Sequence, residues 1–198
     1  TAILAGDALQ AFAFQVIAED DTLPPDVRLR LVTDLSRAAA KMVSGQQMDL
    51  EAEGKLLDIE DIERIHRGKT GALIRFSARA GAIIAGASEA ELEAMSEFGS
   101  TLGLLFQVTD DLLDVTQTSE VLGKTAGKDV SSAKATYPNA MGLDDAKALA
   151  AKLHDDAVGD VEERHAGGRG HRFFRRLGGK HGIHRVQERK RDGGPEAS

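Results

Sequence analysis

Apolar residues return along this chain at helical spacing, and no segment sustains a period-two alternation. Residues 1–19 are apolar almost all round, through Ile3, Leu4, Leu9, Phe12, Phe14, Val16 and Ile17, with Asp7 and Gln10 as interruptions. That pattern predicts a buried helix. Pro24-Pro25-Asp26 then signals a helix start, and Leu31, Leu35, Ala38 and Met42 mark one apolar face of a helix expected to end near Gly45. A short helix is expected from Asp58 through Ile59, Ile62 and Ile65, with His66 and Arg67 as exposed helix residues, and a second apolar run continues to Ala87. Ser88-Glu89-Ala90-Glu91 has the form of a capping box and opens a long helix. Tyr137-Pro138 ends the loop after that helix, and a last amphipathic helix runs from about Asp144 through Leu149, Leu153 and Ala157. The expected fold is all-α, a packed bundle of helices.

The long helix departs from a simple amphipathic pattern. At 100° per residue, Asp110, Asp111 and Asp114 all fall within about 60° of Gln107, and Gly103, Ser100, Ser96 and Thr118 share the same arc. The rest of the cylinder is Leu102, Leu105, Phe106, Val108, Leu112, Leu113 and Val115. A polar groove floored by small residues and ending in three carboxylates is thus cut into an apolar helix. Carboxylates one turn apart repel one another, and a lone DDxxD is often only a solvated acidic turn. Apolar surroundings favour a different reading, because buried carboxylates must be paired or metal-bound. Mg²⁺ suits them, being held by one or two carboxylates with waters and substrate phosphates completing its shell. Lys124, Lys128 and Lys134 follow in a glycine-containing loop, so acid and then base on one segment reads as a metal–polyphosphate clamp.

Composition narrows the class. The chain has 198 residues, a one-domain length with room for a core, and no cysteine, so it has neither disulfides nor thiolate metal sites. That fits a reducing, cytoplasmic setting. A charged-apolar-small leader and an uninterrupted apolar run of about 18 residues are both missing, so neither a signal peptide nor a membrane span is expected. The net charge is −7, yet residues 161–198 carry ten Lys and Arg against five Asp and Glu, which leaves the body strongly acidic and argues against nucleic acid as its partner. Beyond Asp160 the helical stripe stops, and this stretch holds eight of the 21 glycines and four of the six histidines. The expected division is therefore a helical domain over 1–160 and a Gly/Arg/His-rich tail over 161–198. A basic interaction tail, a histidine metal patch and a shifted reading frame all compete for the tail. His165, His171, His181 and His184 lack i,i+4 pairing, and the shifted frame fits best.

Two look-alike motifs are excluded. Gly123-Lys124-Thr125 is no P-loop, since Thr118 stands where its first glycine belongs, and Asp110–Glu120 is no EF-hand, since Val115 replaces the turn glycine. FQVTDDLLDV, LGKTAGKD and KATYP instead resemble the second aspartate-rich region of the trans-polyprenyl diphosphate synthases, most closely the bacterial farnesyl type. GDALQ at 6–10, GQQMDLEAEGK at 45–55 and IERIHRGKTGALIR at 62–75 resemble the same family in the same order, so the match covers roughly residues 1–157.

The resemblance implies an isoprenoid-synthase-type bundle, a homodimer, and a Mg²⁺-dependent transfer in which an allylic diphosphate condenses with isopentenyl diphosphate. It implies that Asp110, Asp111 and Asp114 hold the metal, that Lys69, Thr70, Lys124 and Lys134 bind diphosphate oxygens, and that Gln107 orients the site. Catalysis is expected to rest on Asp110, Asp111 and Lys69. Gln46 and Asp49 either support the site or brace a helix end. One departure is large: the family carries a first DDxxD-type motif upstream, whereas Glu19-Asp20-Asp21 here precedes Pro24-Pro25 without a following arginine pair. Thr1 also enters a helix directly, as an internal position would. The chain is therefore expected to lack the family's N-terminal part and to be inactive alone. The alternative is a non-catalytic, synthase-like subunit that packs against an active homologue.

Overall fold

A computed structural model describes the backbone of residues 1–121 and 135–166, and the side chains of 1–116 and 135–159. All regular structure among the described residues is helical, as the spacing predicts. Helix α1 spans Ala2–Glu19, α2 Pro25–Glu51, α3 Ile59–His66, α4 Ala72–Ile84, α5 Glu89–Val121, α6 Tyr137–Met141 and α7 Leu143–Ala166; a π-helical turn over Arg67–Gly71 joins α3 to α4.

The helix starts follow local chemistry. Pro25 opens α2 at a position whose missing N–H costs nothing, with Asp26 in the first turn. Asp58 caps α3 by accepting the Asp61 N–H at 2.8 Å. The capping box forms as expected: Glu91 Oε2 accepts from the Ser88 N–H at 2.7 Å and the Ser88 hydroxyl at 2.8 Å. The apolar stripe of α2 buries Leu31, Leu35 and Ala38. Leu31 joins Ala82, Ile83 and Leu92 in one cluster, and a second cluster gathers Ile62, Leu104, Val108, Tyr137, Ala146 and Leu153. Full burial of a side chain such as Leu31 or Ile62 stabilises the fold by about 1.5–3 kcal/mol.

Helix α2 does not end near Gly45 but runs on to Glu51. Gly45 lies buried inside it, and a Cβ there would stand 2.2 Å from the Lys69 nitrogen and 2.6 Å from the Gly68 carbonyl carbon. This glycine lets the π turn lie on the helix; it is a point of close approach rather than a stop signal. The small-residue arc of α5 serves α4 in the same way. A Cβ at Gly103 would fall 2.7 Å from the Gly71 Cα, and one at Gly99 2.8 Å from the Arg75 Cα. Further along, the Arg79 guanidinium donates to the Ser96 hydroxyl at 2.8 Å. The π turn and α4 thus pack on the groove read in α5 at Gly103 and Gly99, while Ser96 and Ser100 line a cavity beside them.

Helix α1 forms where expected but buries nothing: Ile3 is 81% and Phe12 57% exposed, and Leu4, Leu9 and Val16 are exposed with them. Only its end, at Ile17, packs on the Leu31 cluster. By length and composition alone α1 is apolar enough to cross a membrane, a test that core helices of soluble proteins and N-terminal signal sequences also pass. Helix α7 buries Leu153 and Ala157 and continues to Ala166, past the change of composition at Asp160. The tail readings otherwise lie outside the described residues.

Candidate active site

The three aspartates of α5 divide between two faces. Asp110 and Asp114, one turn apart, are exposed, whereas Asp111 is only 6% exposed. One residue of helix turns Asp111 by about 100° from Asp110, which carries it under the start of α6. There its Oδ2 accepts the Tyr137 N–H at 3.0 Å. Leu102, Phe106 and Leu113 are exposed on α5, on the Asp110 side of the helix. One turn before the aspartates, Gln107 is buried, and its Oε1 accepts the Thr70 hydroxyl at 2.8 Å.

Lys69 and Thr70 sit on the π turn, an irregularity that interrupts regular i→i−4 bonding and often marks functional sites. Its position follows from glycine: Gly68 seats on Gly45 of α2, and Gly71 on Gly103 of α5. Lys69 Nζ donates to Asp49 Oδ2 at 2.7 Å, both side chains being roughly 30% exposed. Of the two GQxxD residues left open by the sequence, Asp49 therefore supports Lys69, and Gln46 is exposed. The structure thus assembles Lys69 with Asp49, and Thr70 with Gln107, on the helix that carries Asp110, Asp111 and Asp114. Lys124 and Lys134, with Lys128, lie outside the described residues.

His66 corrects one expectation. It is buried, with its ring 5.5 Å from that of Tyr137, because the π turn and α6 close over the end of α3. Arg67 stays exposed and pairs with Glu63 at 2.6 Å, as an i,i+4 surface pair should. Tyr137 was read only as a loop end, yet it is fully buried. Burial, with Glu63 adding to it, pushes its hydroxyl well above the usual phenol range. The KATYP string held one signal for this: an aromatic residue next to a helix-starting proline.

Among the described residues, no three His, Cys, Asp or Glu side chains converge as a metal cage. Asp110 and Asp114 nevertheless offer hard oxygen donors on an exposed face, a donor set that fits Mg²⁺ with waters and phosphate oxygens as its other ligands. A cavity of about 740 Å³ lies elsewhere, between α2, α4 and α5, lined among others by Arg37, Lys41, Arg75, Arg79, Glu93 and Glu97. Among the described residues, none of those expected in the site lines it.

Fold, aspartate helix and Lys-Thr turn together define an isoprenoid-synthase class of protein. The sequence profile of the family described as Polyprenyl synthetase matches residues 1–166, and the chain belongs to that family. It is similar to the farnesyl diphosphate synthase of Geobacillus stearothermophilus, with 48% identity over 150 residues, covering 74% of this chain and 50% of that protein. It is also similar to the heterodimeric geranylgeranyl pyrophosphate synthase large subunit 1, chloroplastic, of Arabidopsis thaliana, at 45% identity over 79% of this chain and 44% of that one. Among solved structures, the Helicobacter pylori geranyltransferase complexed with magnesium and isoprenyl diphosphate superposes with a TM-score of 0.71 and 30% identity, covering 90% of this chain and 59% of that one. The chain spans about half the length of the curated relatives it matches.

Proposed function

We propose that this chain carries the aspartate-helix and Lys-Thr half of a cytoplasmic prenyltransferase site, one that condenses an allylic diphosphate with isopentenyl diphosphate. The observation that carries the reading is the Thr70–Gln107 hydrogen bond, 2.8 Å, which holds the Lys69–Thr70 turn against the carboxylate-bearing helix. Lys69, fixed by Asp49, presents an ammonium to diphosphate oxygens, and Thr70 and Gln107 set where they rest. Asp110, Asp111 and Asp114 are the acids the family resemblance offers to Mg²⁺, with Lys124 and Lys134 as further diphosphate contacts. The charge that develops on the departing diphosphate is what bound Mg²⁺ would neutralise. In the overall reaction the allylic C–O bond breaks, the isopentenyl double bond supplies the electron pair for the new C–C bond, and one proton is lost. The exposed Leu102, Phe106 and Leu113 provide an apolar wall beside the acids, where a prenyl chain can lie out of water.

Exposed apolar side chains along α1 support self-association as a homodimer, since contiguous patches of that kind mark interaction surfaces. Sedimentation of Phe12→Glu beside the wild type tests this: the substitution is expected to shift a dimer towards monomer. For the site itself, calorimetric titration of Mg²⁺ with and without a non-hydrolysable prenyl diphosphate analogue is decisive. Tight metal binding is expected only with the analogue present. Equal metal affinity in Asp110→Ala and Asp114→Ala would overturn the assignment.

A further inference from the structure

We infer that Asp111 is a positioning residue rather than a magnesium ligand, and that its carboxylate ties the start of α6 to the aspartate helix. This rests on the site reading above and divides its labour. Helix α6 has a proline in its first turn but no side-chain cap: Thr136, its N-terminal flanking residue, makes no cap bond, and its hydroxyl has no hydrogen-bond partner among the described residues. The first N–H groups of any helix lack partners within the helix itself. Asp111, reaching across from α5, accepts one of these first N–H groups, that of Tyr137, at 3.0 Å. Tyr137 is thereby seated in the core at 0% exposure, against the buried His66 ring and among Ile62, Val108 and Leu153. The chain re-enters the described fold at Ala135, two residues before this bond. Asp110 and Asp114 face solvent on the same helix. Asp111 differs from them in being buried beneath α6, with its Oδ2 engaged by the Tyr137 N–H.

Asparagine separates the two roles, because its side-chain oxygen still accepts an N–H but no longer carries a charge for the metal. Two readouts are taken on the full chain: Mg²⁺ affinity in the presence of inorganic diphosphate, by calorimetry, and exchange protection of the Tyr137 amide, by NMR. Asp111→Asn is expected to keep both. Asp111→Ala is expected to lose the Tyr137 protection and to weaken diphosphate binding; if it does not fold, the asparagine variant decides alone. Asp110→Asn and Asp114→Asn are expected to lower Mg²⁺ affinity by about tenfold or more through loss of a charged oxygen donor, with Tyr137 protection intact. The inference is overturned if Asp111→Asn lowers Mg²⁺ affinity as far as Asp110→Asn does while Tyr137 stays protected. Absence of any Mg²⁺–diphosphate binding in the wild type would instead sink the functional reading. Amide exchange would then still judge the tie, which fails if a folded Asp111→Ala protects Tyr137 like the wild type.

Discussion

One side of α5 is closed and another open, and the same short motif contributes to both. On the closed side, Gly99, Gly103, Gln107 and Asp111 meet α4, the π turn and α6 at van der Waals or hydrogen-bond distance. On the open side, Phe106, Asp110, Leu113 and Asp114 are exposed. Glycine permits the close approach on the first, whereas the second keeps acids and large apolar groups together without covering them. DDxxD is therefore not one functional unit here. Its first and last acids lie on the exposed face proposed to bind, and its middle acid is buried against α6.

Substitutions on the closed side should cost stability, and those on the open side should cost binding. The largest effect is expected at Gly45 and Gly103, where a valine would overlap backbone atoms; each should lower unfolding stability by about 3 kcal/mol. Urea unfolding measures this, and a midpoint unchanged in Gly103→Val would break the contrast. Next, Thr70→Val removes the donor to buried Gln107 and should cost about 1–3 kcal/mol. A double-mutant cycle with Gln107→Leu should return a coupling close to the single-mutant loss, and zero coupling would place that bond outside the framework. On the open side, Asp110→Asn should leave stability within about 0.5 kcal/mol of wild type, its cost appearing in Mg²⁺–diphosphate affinity.

A different kind of effect is a pH dependence of the framework, confined to alkaline pH. Tyr137 is the sole tyrosine, so tyrosinate absorbance reports it alone. Burial raises its folded value above the ordinary 10.0, which means that its contribution to stability is complete below pH 10 and is lost as pH rises through the folded value. Absorbance should stay flat through pH 10 and rise only at higher pH, together with unfolding. Tyr137→Phe should remove that part of the alkaline loss. A freely titrating tyrosine near pH 10 would contradict the burial on which the α6 anchor rests.

Helix starts were legible in the sequence because they depend on neighbours in the chain: Pro25, Asp58 and the Ser88–Glu91 box each act within one turn. The site motifs were legible for a related reason, since Lys69-Thr70 and DDxxD are short strings of particular chemistry. What escaped depends on contacts across the fold. An apolar run such as α1 does not state whether anything covers it, so a helix expected to be buried is exposed. Gly45 looked like a helix end because glycine commonly serves as one, and only the crossing of the π turn shows its other use. His66 looked like surface beside Arg67, and its burial follows from Tyr137, 71 positions further on. The different placements of Asp110 and Asp111 follow from α6, which the spacing within DDxxD does not contain.

The most direct test of the open face uses Mn²⁺ in place of Mg²⁺, added with inorganic diphosphate to isotopically labelled protein, with paramagnetic broadening of backbone amides as the readout. Amides of Asp110, Leu113, Asp114, Lys69 and Thr70 are expected to broaden first, while those of Leu31 and Ile83 in the other core cluster stay sharp. Broadening centred on Arg37, Arg75 and Glu97 would place the ion and diphosphate in the cavity between α2, α4 and α5, and would contradict the assignment of the site to the aspartate helix.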